Sequence, residues 1–224
     1  MTALPSNTVF ALLSLRAGSI RPLGEEGLPS AIHKLPIGRP LAVTRLGLAG
    51  DQQADRIHHG GPDKALHHYP AEHYPAWREQ FPHRPAFELG GFGENLSTLG
   101  LTEDDVCLGD IFRLGGAVIQ VSQGRSPCRK LNLRFAVPDM LERVRDSGRT
   151  GWYYRVLEEG MAGPGDMLIH LDRPLPEWPV ARLFRTLFAD GAKWAELEEL
   201  AGLPLLAVGW RARASQWLGN GRKV

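Results

Sequence analysis

Apolar residues fall in short runs between glycines and prolines over the first three quarters of the chain. Such runs are typical of β-strands, because strands are short and turn residues end them. The pattern predicts strands at Val9–Leu15, Leu41–Leu46, Trp152–Leu157 and Met167–Leu171. We therefore expect residues 1–175 to be mainly β.

The clearest hairpin lies within Val106–Val121. Apolar residues lead into Gly115-Gly116 and away from it. Paired glycines accept the positive φ angles of a tight two-residue turn. The predicted hairpin ends directly before a polar segment, residues 122–132.

Helical spacing interrupts the strands at two places. Residues 138–147 fit a helix, and Gly148 is a suitable C-terminal stop for it. Residues 71–81 also fit a helix, but Pro75 lies inside them. Because proline lacks an N–H group, Pro75 must kink this helix or mark its true start.

The chain changes character after a stiff, proline-rich segment at 173–179. Apolar residues then recur at helical spacing, which predicts three helices, at Val180–Phe188, Lys193–Ala201 and Pro204–Leu218. We therefore predict two domains, residues 1–175 and residues 176–224. The apolar faces of the tail pack within the chain or across a homodimer, and the spacing leaves both open.

The charges nearly cancel, since 26 Lys and Arg against 25 Asp and Glu give a net charge of +1. This balance excludes a strongly basic nucleic-acid-binding protein, so we expect no stable nucleic-acid binding. No stretch approaches the ~18 uninterrupted apolar residues of a membrane span. The first apolar run lacks the basic start of a signal peptide. We expect a cytoplasmic protein with no membrane association.

The chain has two cysteines, too few for a disulfide framework. Cys107 lies in the apolar run Val106-Cys107-Leu108, which indicates packing in a core. Cys128 lies instead in a polar loop and has a different set of neighbours.

Cys128 stands among Arg125, Arg129 and Lys130 in the loop after the predicted hairpin. Nearby positive charge favours the thiolate and lowers the pKa of a cysteine. A thiolate is both a nucleophile and a soft metal ligand. The alternative is a small buried residue with basic neighbours on the surface.

A second polar loop, residues 50–64, contains Gly60-Gly61. Consecutive glycines let backbone N–H groups approach an anion closely, and His59 and Lys64 add donors or charge. This arrangement suits a phosphate, although the spacing is not that of a Walker loop.

The same loop supports a rival hypothesis, a zinc- or iron-dependent hydrolase. Histidines and carboxylates that suit these metals are concentrated there and just downstream: Asp51, Asp55, His58, His59, Asp63, His67, His68 and His73. No fixed metal-binding spacing such as HExxH occurs. For His67, His68 and His73 we favour an interpretation as partly buried hydrogen-bonding residues.

A third polar segment, residues 90–98, is rich in glycine and carries Glu94 and Asn95. These side chains could bind a ligand or cap the local backbone. Capping is the favoured interpretation from the residues alone.

Taken together and in order, these segments resemble the MOSC-domain family, and the resemblance is greatest to its YiiM-like branch. The resemblance covers about residues 8–172, and the tail is similar to the three-helix appendage of that branch. The motifs that carry it are GDQQAD at 50–55, HGGPDKAL at 59–66, YPAEHY at 69–74, FGENLST at 92–98, LTEDD at 101–105, GDIF at 109–112, IQVSQGRSPCRKLN at 119–132 and GRTGWYY at 148–154. One departure is Gly124, where a proline is more usual.

The resemblance implies a mainly β fold, a MOSC-type β-barrel with a few helices and a small C-terminal α-helical subdomain. It also implies a pterin-based molybdenum cofactor and reduction of N-hydroxylated compounds, such as 6-hydroxylaminopurine. Cys128 matches the molybdenum- or sulfur-handling cysteine of the family. The other matched positions, expected to bind the cofactor or assist catalysis, are His59, Gly60, Gly61, Asp63, Lys64, Glu94, Asn95, Ser122, Gln123, Arg125 and Asn132.

On this hypothesis Cys128 binds molybdenum, and His59 or Asp63 delivers a proton. An external electron-donor protein is required, because the chain shows no flavin, haem or iron–sulfur motif. Two other hypotheses stay open beside the hydrolase. One is a sulfur carrier with a persulfide on Cys128, and the other is a non-enzymatic module that binds cofactor or a partner protein.

Overall fold

The computed structural model describes residues 4–55, 59–188 and 193–219. Thirteen strands are formed within these ranges: β1 Val9–Gly18, β2 Arg21–Leu23, β3 Leu28–Ser30, β4 Lys34–Pro36, β5 Leu41–Thr44, β6 Gly47–Leu48, β7 Leu66–His68, β8 Leu96–Thr98, β9 Ile111–Leu114, β10 Ala117–Gly124, β11 Trp152–Glu158, β12 Gly160–Ala162 and β13 Met167–Asp172. The α-helices there are α1 His73–Gln80, α2 Lys130–Phe135, α3 Met140–Ser147, α4 Val180–Phe188, α5 Trp194–Gly202 and α6 Val208–Gly219. A 3₁₀ turn forms at Pro62–Lys64.

Seven of these strands close into a barrel in the order β13-β9-β10-β11-β7-β8-β1. Antiparallel pairing of Val9 with Ile169 joins the first strand to the last. Closure leaves these strands without an open edge. The long strand β1 also pairs with β4, which begins at Lys34. The mainly β barrel with helices, expected from the resemblance, is confirmed.

Alternation of side chains fills the barrel. In β11, Trp152, Tyr154 and Val156 are buried, whereas Tyr153 and Arg155 between them are partly exposed. Alternate residues of the neighbouring strands β9 and β10 also belong to this apolar interior. This is expected because successive side chains of a strand point to opposite faces. The strand residues between these positions point away from the apolar interior and include polar side chains such as Tyr153 and Arg155.

The hairpin at Gly115-Gly116 forms as predicted between β9 and β10. Gly115 has φ 57°, a left-handed conformation that glycine adopts without strain. Strand β10 is twice as long as β9, eight residues against four. Its extra length carries the chain past the hairpin to Gly124 and the Cys128 loop.

The predicted helix boundaries shift by up to four residues. The helices predicted over 71–81 and 204–218 show the physical causes. Helix α1 begins at His73, so Pro75 lies in its first turn, where a missing N–H breaks no helical hydrogen bond. Helix α6 begins at Val208 because the preceding residues turn and Ala207 N donates to Ser122 O at 2.9 Å. That bond fixes the end of the tail to the barrel.

The C-terminal helices surround a second apolar cluster that includes Trp178, Leu183 and Trp210. Leu108 of the barrel segment contributes to this cluster, and Val180 of α4 contributes to the barrel interior. The apolar faces of the described tail therefore pack within the chain. A homodimer stays a prediction. Across the described residues, every helix falls short of the length and apolar character that crossing a bilayer demands.

Candidate functional site

The Cys128 loop leaves the barrel where β10 ends. Arg125 N donates to Gly151 O at 3.0 Å, which ties the start of the loop to the residue before β11. Pro127 follows and restricts the backbone. Cys128 O then accepts from Leu131 N at 3.0 Å as α2 begins. Both sides of the loop are thus fixed, and the Cys128 side chain is held in one direction.

His59 is the partner of the Cys128 sulfur. Its Nε2 lies 3.4 Å from Cys128 Sγ, and its Nδ1 lies 3.5 Å from Asp55 Oδ2. Burial raises the pKa of the thiol, but His59, the charge of Arg125 and the Lys130 backbone N–H outweigh it and lower the pKa of Cys128 to about 7. The Cys128 thiolate is therefore favoured at neutral pH relative to that of an ordinary cysteine.

The sulfur borders a polar cleft of about 90 Å³. The cleft residues are polar or charged on most sides: Lys34, Asp51, Gln52, Gln53, Asp55, His59, Lys64, His67, Arg125, Cys128, Lys130 and Tyr153. Cys128 thus faces the same space as His59 and Lys64 of the histidine–glycine loop.

One wall of this cleft is a buried ion pair between Lys34 and Asp51. Asp51 also accepts hydrogen bonds from Gly18 N at 2.7 Å and from Asn95 Nδ2 at 2.9 Å. Burial lowers the pKa of Lys34, and the Asp51 charge opposes that shift. Asn95 therefore acts on the cleft through Asp51, and its Oδ1 accepts from His67 N at 3.0 Å.

Three buried polar atoms beside the cleft have no hydrogen-bond partner within the described residues. One is His59 Nδ1, which lies 3.5 Å from Asp55 Oδ2. The other two are Arg125 Nη1 and His67 Nε2. Burial, followed by the charge of Arg125, lowers the pKa of His67 well below its ordinary value, so its ring is neutral at pH 7. Since buried polar groups are nearly always paired, these two atoms indicate a place for a ligand.

Glu94 does not border the cleft, and its buried carboxylate caps a turn. It accepts hydrogen bonds from Gly90 N at 2.6 Å, Phe92 N at 3.1 Å, Tyr74 Oη at 2.5 Å and Ser97 Oγ at 3.2 Å. Burial raises the pKa of Glu94. This is the capping role that the residues alone favoured.

Asp63 also lies outside the cleft. Arg155 binds its Oδ1 at 2.9 Å, and Val208 N at the start of α6 donates to its Oδ2 at 3.3 Å. Gly61, with φ 97°, begins the 3₁₀ turn that carries Asp63, and neither it nor Gly60 is among the cleft residues.

Three further residues matched to the family, Ser122, Gln123 and Asn132, form hydrogen bonds from their side chains to backbone groups. Ser122 Oγ donates to Asp63 O at 2.6 Å and to Tyr153 O at 3.1 Å. Gln123 Nε2 donates to Gly124 O at 3.1 Å. Asn132 joins α2 to the start of α3, since its Oδ1 accepts from Leu141 N at 2.8 Å.

The histidines considered as metal ligands separate into different roles. His68 is buried between Tyr154 Oη and Thr98 Oγ1, each at 3.0 Å, and His73 Nε2 lies 2.7 Å from Glu103 Oε2. His58 lies outside the described residues. Among those described, three or more His, Cys, Asp or Glu side chains are nowhere grouped to hold a metal ion.

Three cleft residues did not stand out in the sequence as site residues. Lys34 opens a strand of only three residues, and Tyr153 occupies an ordinary position in β11. His67 was interpreted as a hydrogen-bonding residue, yet its Nε2 is unpaired beside the cleft. No local pattern marks these residues, because pairing between strands that are distant in the chain brings them together.

Comparison with known proteins gives two matches along the chain. Residues 55–169 match the model of the MOSC domain, and residues 178–221 match the YiiM-like 3-alpha helix domain. The uncharacterized protein YflK of Bacillus subtilis is 43% identical over 205 residues, covering 91% of this chain and 92% of YflK. Protein YiiM of Escherichia coli is 53% identical over 136 residues, 60% of this chain and 61% of YiiM.

A protein named reductase from Gibberella moniliformis is 40% identical over 205 residues, but this chain spans only 36% of its length. The crystal structure of YiiM from Geobacillus stearothermophilus superimposes with a TM-score of 0.78 at 36% identity, covering 92% of this chain and 97% of that one. YiiM from Escherichia coli gives a TM-score of 0.77 at 34% identity, covering 91% and 94%.

Proposed function

We propose, on the premise that this chain belongs to the MOSC-domain family and carries the YiiM-like three-helix domain, that it is a molybdenum-cofactor-binding reductase of N-hydroxylated compounds. The observation that carries the proposal is the Cys128 sulfur, whose pKa is lowered to about 7 and which borders a polar cleft. The name of the Gibberella moniliformis relative supports an oxidoreductase.

The cleft residues suit the proposed cofactor. A thiolate is a soft ligand for a transition metal, so Cys128 would bind the molybdenum. Arg125 and Lys64 would hold the anionic and polar parts of the pterin by charge-assisted hydrogen bonds, and Arg125 Nη1 is unpaired among the described residues. His67 Nε2 offers one further hydrogen-bonding atom. When bound, the cofactor supplies the electron pair for the reduction.

The reaction cleaves the N–O bond of a hydroxylamine. R–NHOH takes up two electrons and two protons and gives R–NH₂ and water. The electrons come from an external electron-donor protein, because the two cysteines and the remaining sequence provide no redox centre of their own. Both cysteines are free thiols, which suits a reducing compartment, and we propose that the protein works in the cytoplasm.

His59 contacts the Cys128 sulfur, with Nε2 3.4 Å from Sγ. Its imidazole would donate a proton to the leaving hydroxyl oxygen, and Asp55 at 3.5 Å would orient the ring. Asp63, the alternative proton donor, is held by Arg155 and Val208 N instead. We therefore assign the proton transfer to His59.

The test is a reduction assay with 6-hydroxylaminopurine and a reduced viologen as the artificial electron donor. Protein from a host grown with molybdate should form the amine, and protein from a molybdate-depleted host should not. Cys128→Ala should abolish turnover, whereas Cys107→Ala, at the buried second cysteine, should retain it. Equal rates for wild type and Cys128→Ala would refute the proposal.

A further inference from the structure

A second cleft also borders Cys128. It is lined by Ser126, Pro127 and Cys128 of the cysteine loop and by Gly209, Trp210 and Arg213 of helix α6. Its volume is about 390 Å³. Because His59, Lys64 and Tyr153 border both clefts, one sulfur is open to two separate approaches.

Helix α6 is fixed against the Cys128 loop rather than resting on it loosely. Ala207 N donates to Ser122 O at 2.9 Å, and Val208 N donates to Asp63 Oδ2 at 3.3 Å. These two bonds place the first turn of α6 directly over the end of β10. The C-terminal domain therefore forms a defined wall beside Cys128.

Gly124 provides the space for that wall. A Cβ atom at Gly124 would lie 2.8 Å from Cη2 of Trp210, a distance that side chains do not tolerate. The Trp210 ring is 5% exposed and lies edge-to-face against Phe188, with 5.3 Å between ring centroids. Gly124, the one departure from the usual cysteine-loop pattern, thus admits a tryptophan of the C-terminal domain.

The chemistry of this cleft suits a flat heteroaromatic ring. Trp210, Tyr153 and Pro127 offer aromatic and apolar surface. The Arg213 guanidinium lies 4.4 Å from the Phe188 ring centroid and 5.2 Å from that of Trp217. In the described part of the chain no acceptor is bonded to Arg213, so its N–H donors are available to ring nitrogens and oxygens.

We propose that the substrate reaches Cys128 through this second cleft, and that Arg213 and Trp210 of the C-terminal domain select planar N-hydroxylated heteroaromatic bases. The cofactor then occupies the adjoining polar cleft, so that substrate and cofactor meet beside Cys128. This inference rests on the proposed reductase function. It makes Arg213 and Trp210 specificity-determining residues, with no part in the cleavage of the N–O bond.

The test has one readout that does not depend on turnover. Calorimetry measures the binding of 6-hydroxylaminopurine to protein from a molybdate-depleted host. The Arg213→Ala variant should bind the purine roughly tenfold more weakly than wild type, because it loses a hydrogen bond from a charged donor. Gly124→Ala should weaken binding in the same direction because it displaces the Trp210 ring. The matched control is Arg113→Ala, an exposed arginine on the barrel, which should bind like wild type.

In the loaded enzyme, Arg213→Ala should raise KM for the purine roughly tenfold with kcat unchanged. For hydroxylamine itself, which has no ring, both constants should match wild type. Purine binding that is equal in wild type, Arg213→Ala and Gly124→Ala would overturn the inference, as would no binding to wild type. Arg213-dependent binding without turnover would instead refute the reductase function and leave the base-binding cleft in place.

Discussion

His59 Nε2 lies 3.4 Å from Cys128 Sγ, although 69 positions separate the two residues in the chain. The contact unites the histidine–glycine loop with the cysteine loop. Asp55 on the far side of the imidazole completes a row of three side chains that ends at the sulfur. An imidazole beside a thiol lowers the pKa of that thiol.

The first prediction concerns the reactivity of the two cysteines as a function of pH. Because the pKa of Cys128 is lowered to about 7, its thiolate fraction rises as pH rises through that value. Alkylation of Cys128 by iodoacetamide should therefore be half-maximal near pH 7. Burial raises the pKa of Cys107 to about 11, so Cys107 should label only after unfolding. Peptide mass spectrometry after timed labelling measures both sites.

His59→Ala is the variant that tests the cause of this shift. Loss of the hydrogen bond and of the imidazole charge should move the midpoint of Cys128 labelling upward, toward the ordinary thiol value of about 8.5. His83→Ala, at an exposed histidine away from the cleft, is the control and should leave the midpoint unchanged. A midpoint that stays near 7 in His59→Ala would show that another group sets it.

The second prediction concerns the Glu94 carboxylate. Glu94→Ala leaves four donors without an acceptor, two backbone N–H groups and the hydroxyls of Tyr74 and Ser97. We expect a loss of about 3 kcal/mol in the free energy of unfolding, measured by urea denaturation. Exposed Glu88→Ala in the same segment should be close to neutral. Equal stability of the two variants would contradict the capping role.

The third prediction concerns the Lys34–Asp51 pair, whose side chains are only 8% and 2% exposed. Asp51→Ala leaves the Lys34 ammonium buried without its partner, so we expect a loss of roughly 3–5 kcal/mol in the free energy of unfolding. The double variant Lys34→Met with Asp51→Ala should recover part of that loss.

Asp146, an exposed partner of Arg145, provides the control for this pair. Asp146→Ala should change the unfolding midpoint in urea far less than Asp51→Ala does. A double variant no more stable than Asp51→Ala would mean that Asp51 acts through Gly18 N and Asn95 rather than through Lys34.

Local sequence signals predicted the elements that local chemistry determines. The Gly115-Gly116 turn, the helix stop at Gly148 and the strands around them are set by residues close in the chain. The predicted start of α6 was wrong by four residues. The helix begins later in the chain because Ala207 N makes a tertiary hydrogen bond to Ser122 O. A pattern of apolar residues carries no information about such a bond.

In the candidate site, too, the sequence marked the residues whose loops carry a local signal and missed those that strand pairing brings in. Cys128, His59, Lys64 and Arg125 carry their chemistry in their own loops, and the structure brings all four to one cleft. Lys34 and His67 enter the cleft only through strand pairing, so short-range patterns did not mark them. Capping was the favoured interpretation of Glu94 from the residues alone, and its burial and four hydrogen bonds fit a cap.

The molybdenum content of purified protein tests directly whether Cys128 binds the metal. Wild type and Cys107→Ala from a molybdate-supplied host should carry molybdenum in near-equimolar amounts by elemental analysis, and Cys128→Ala should carry almost none. Equal molybdenum in wild type and Cys128→Ala would contradict the account. So would a metal-free wild type whose intact mass shows one removable sulfur atom on Cys128.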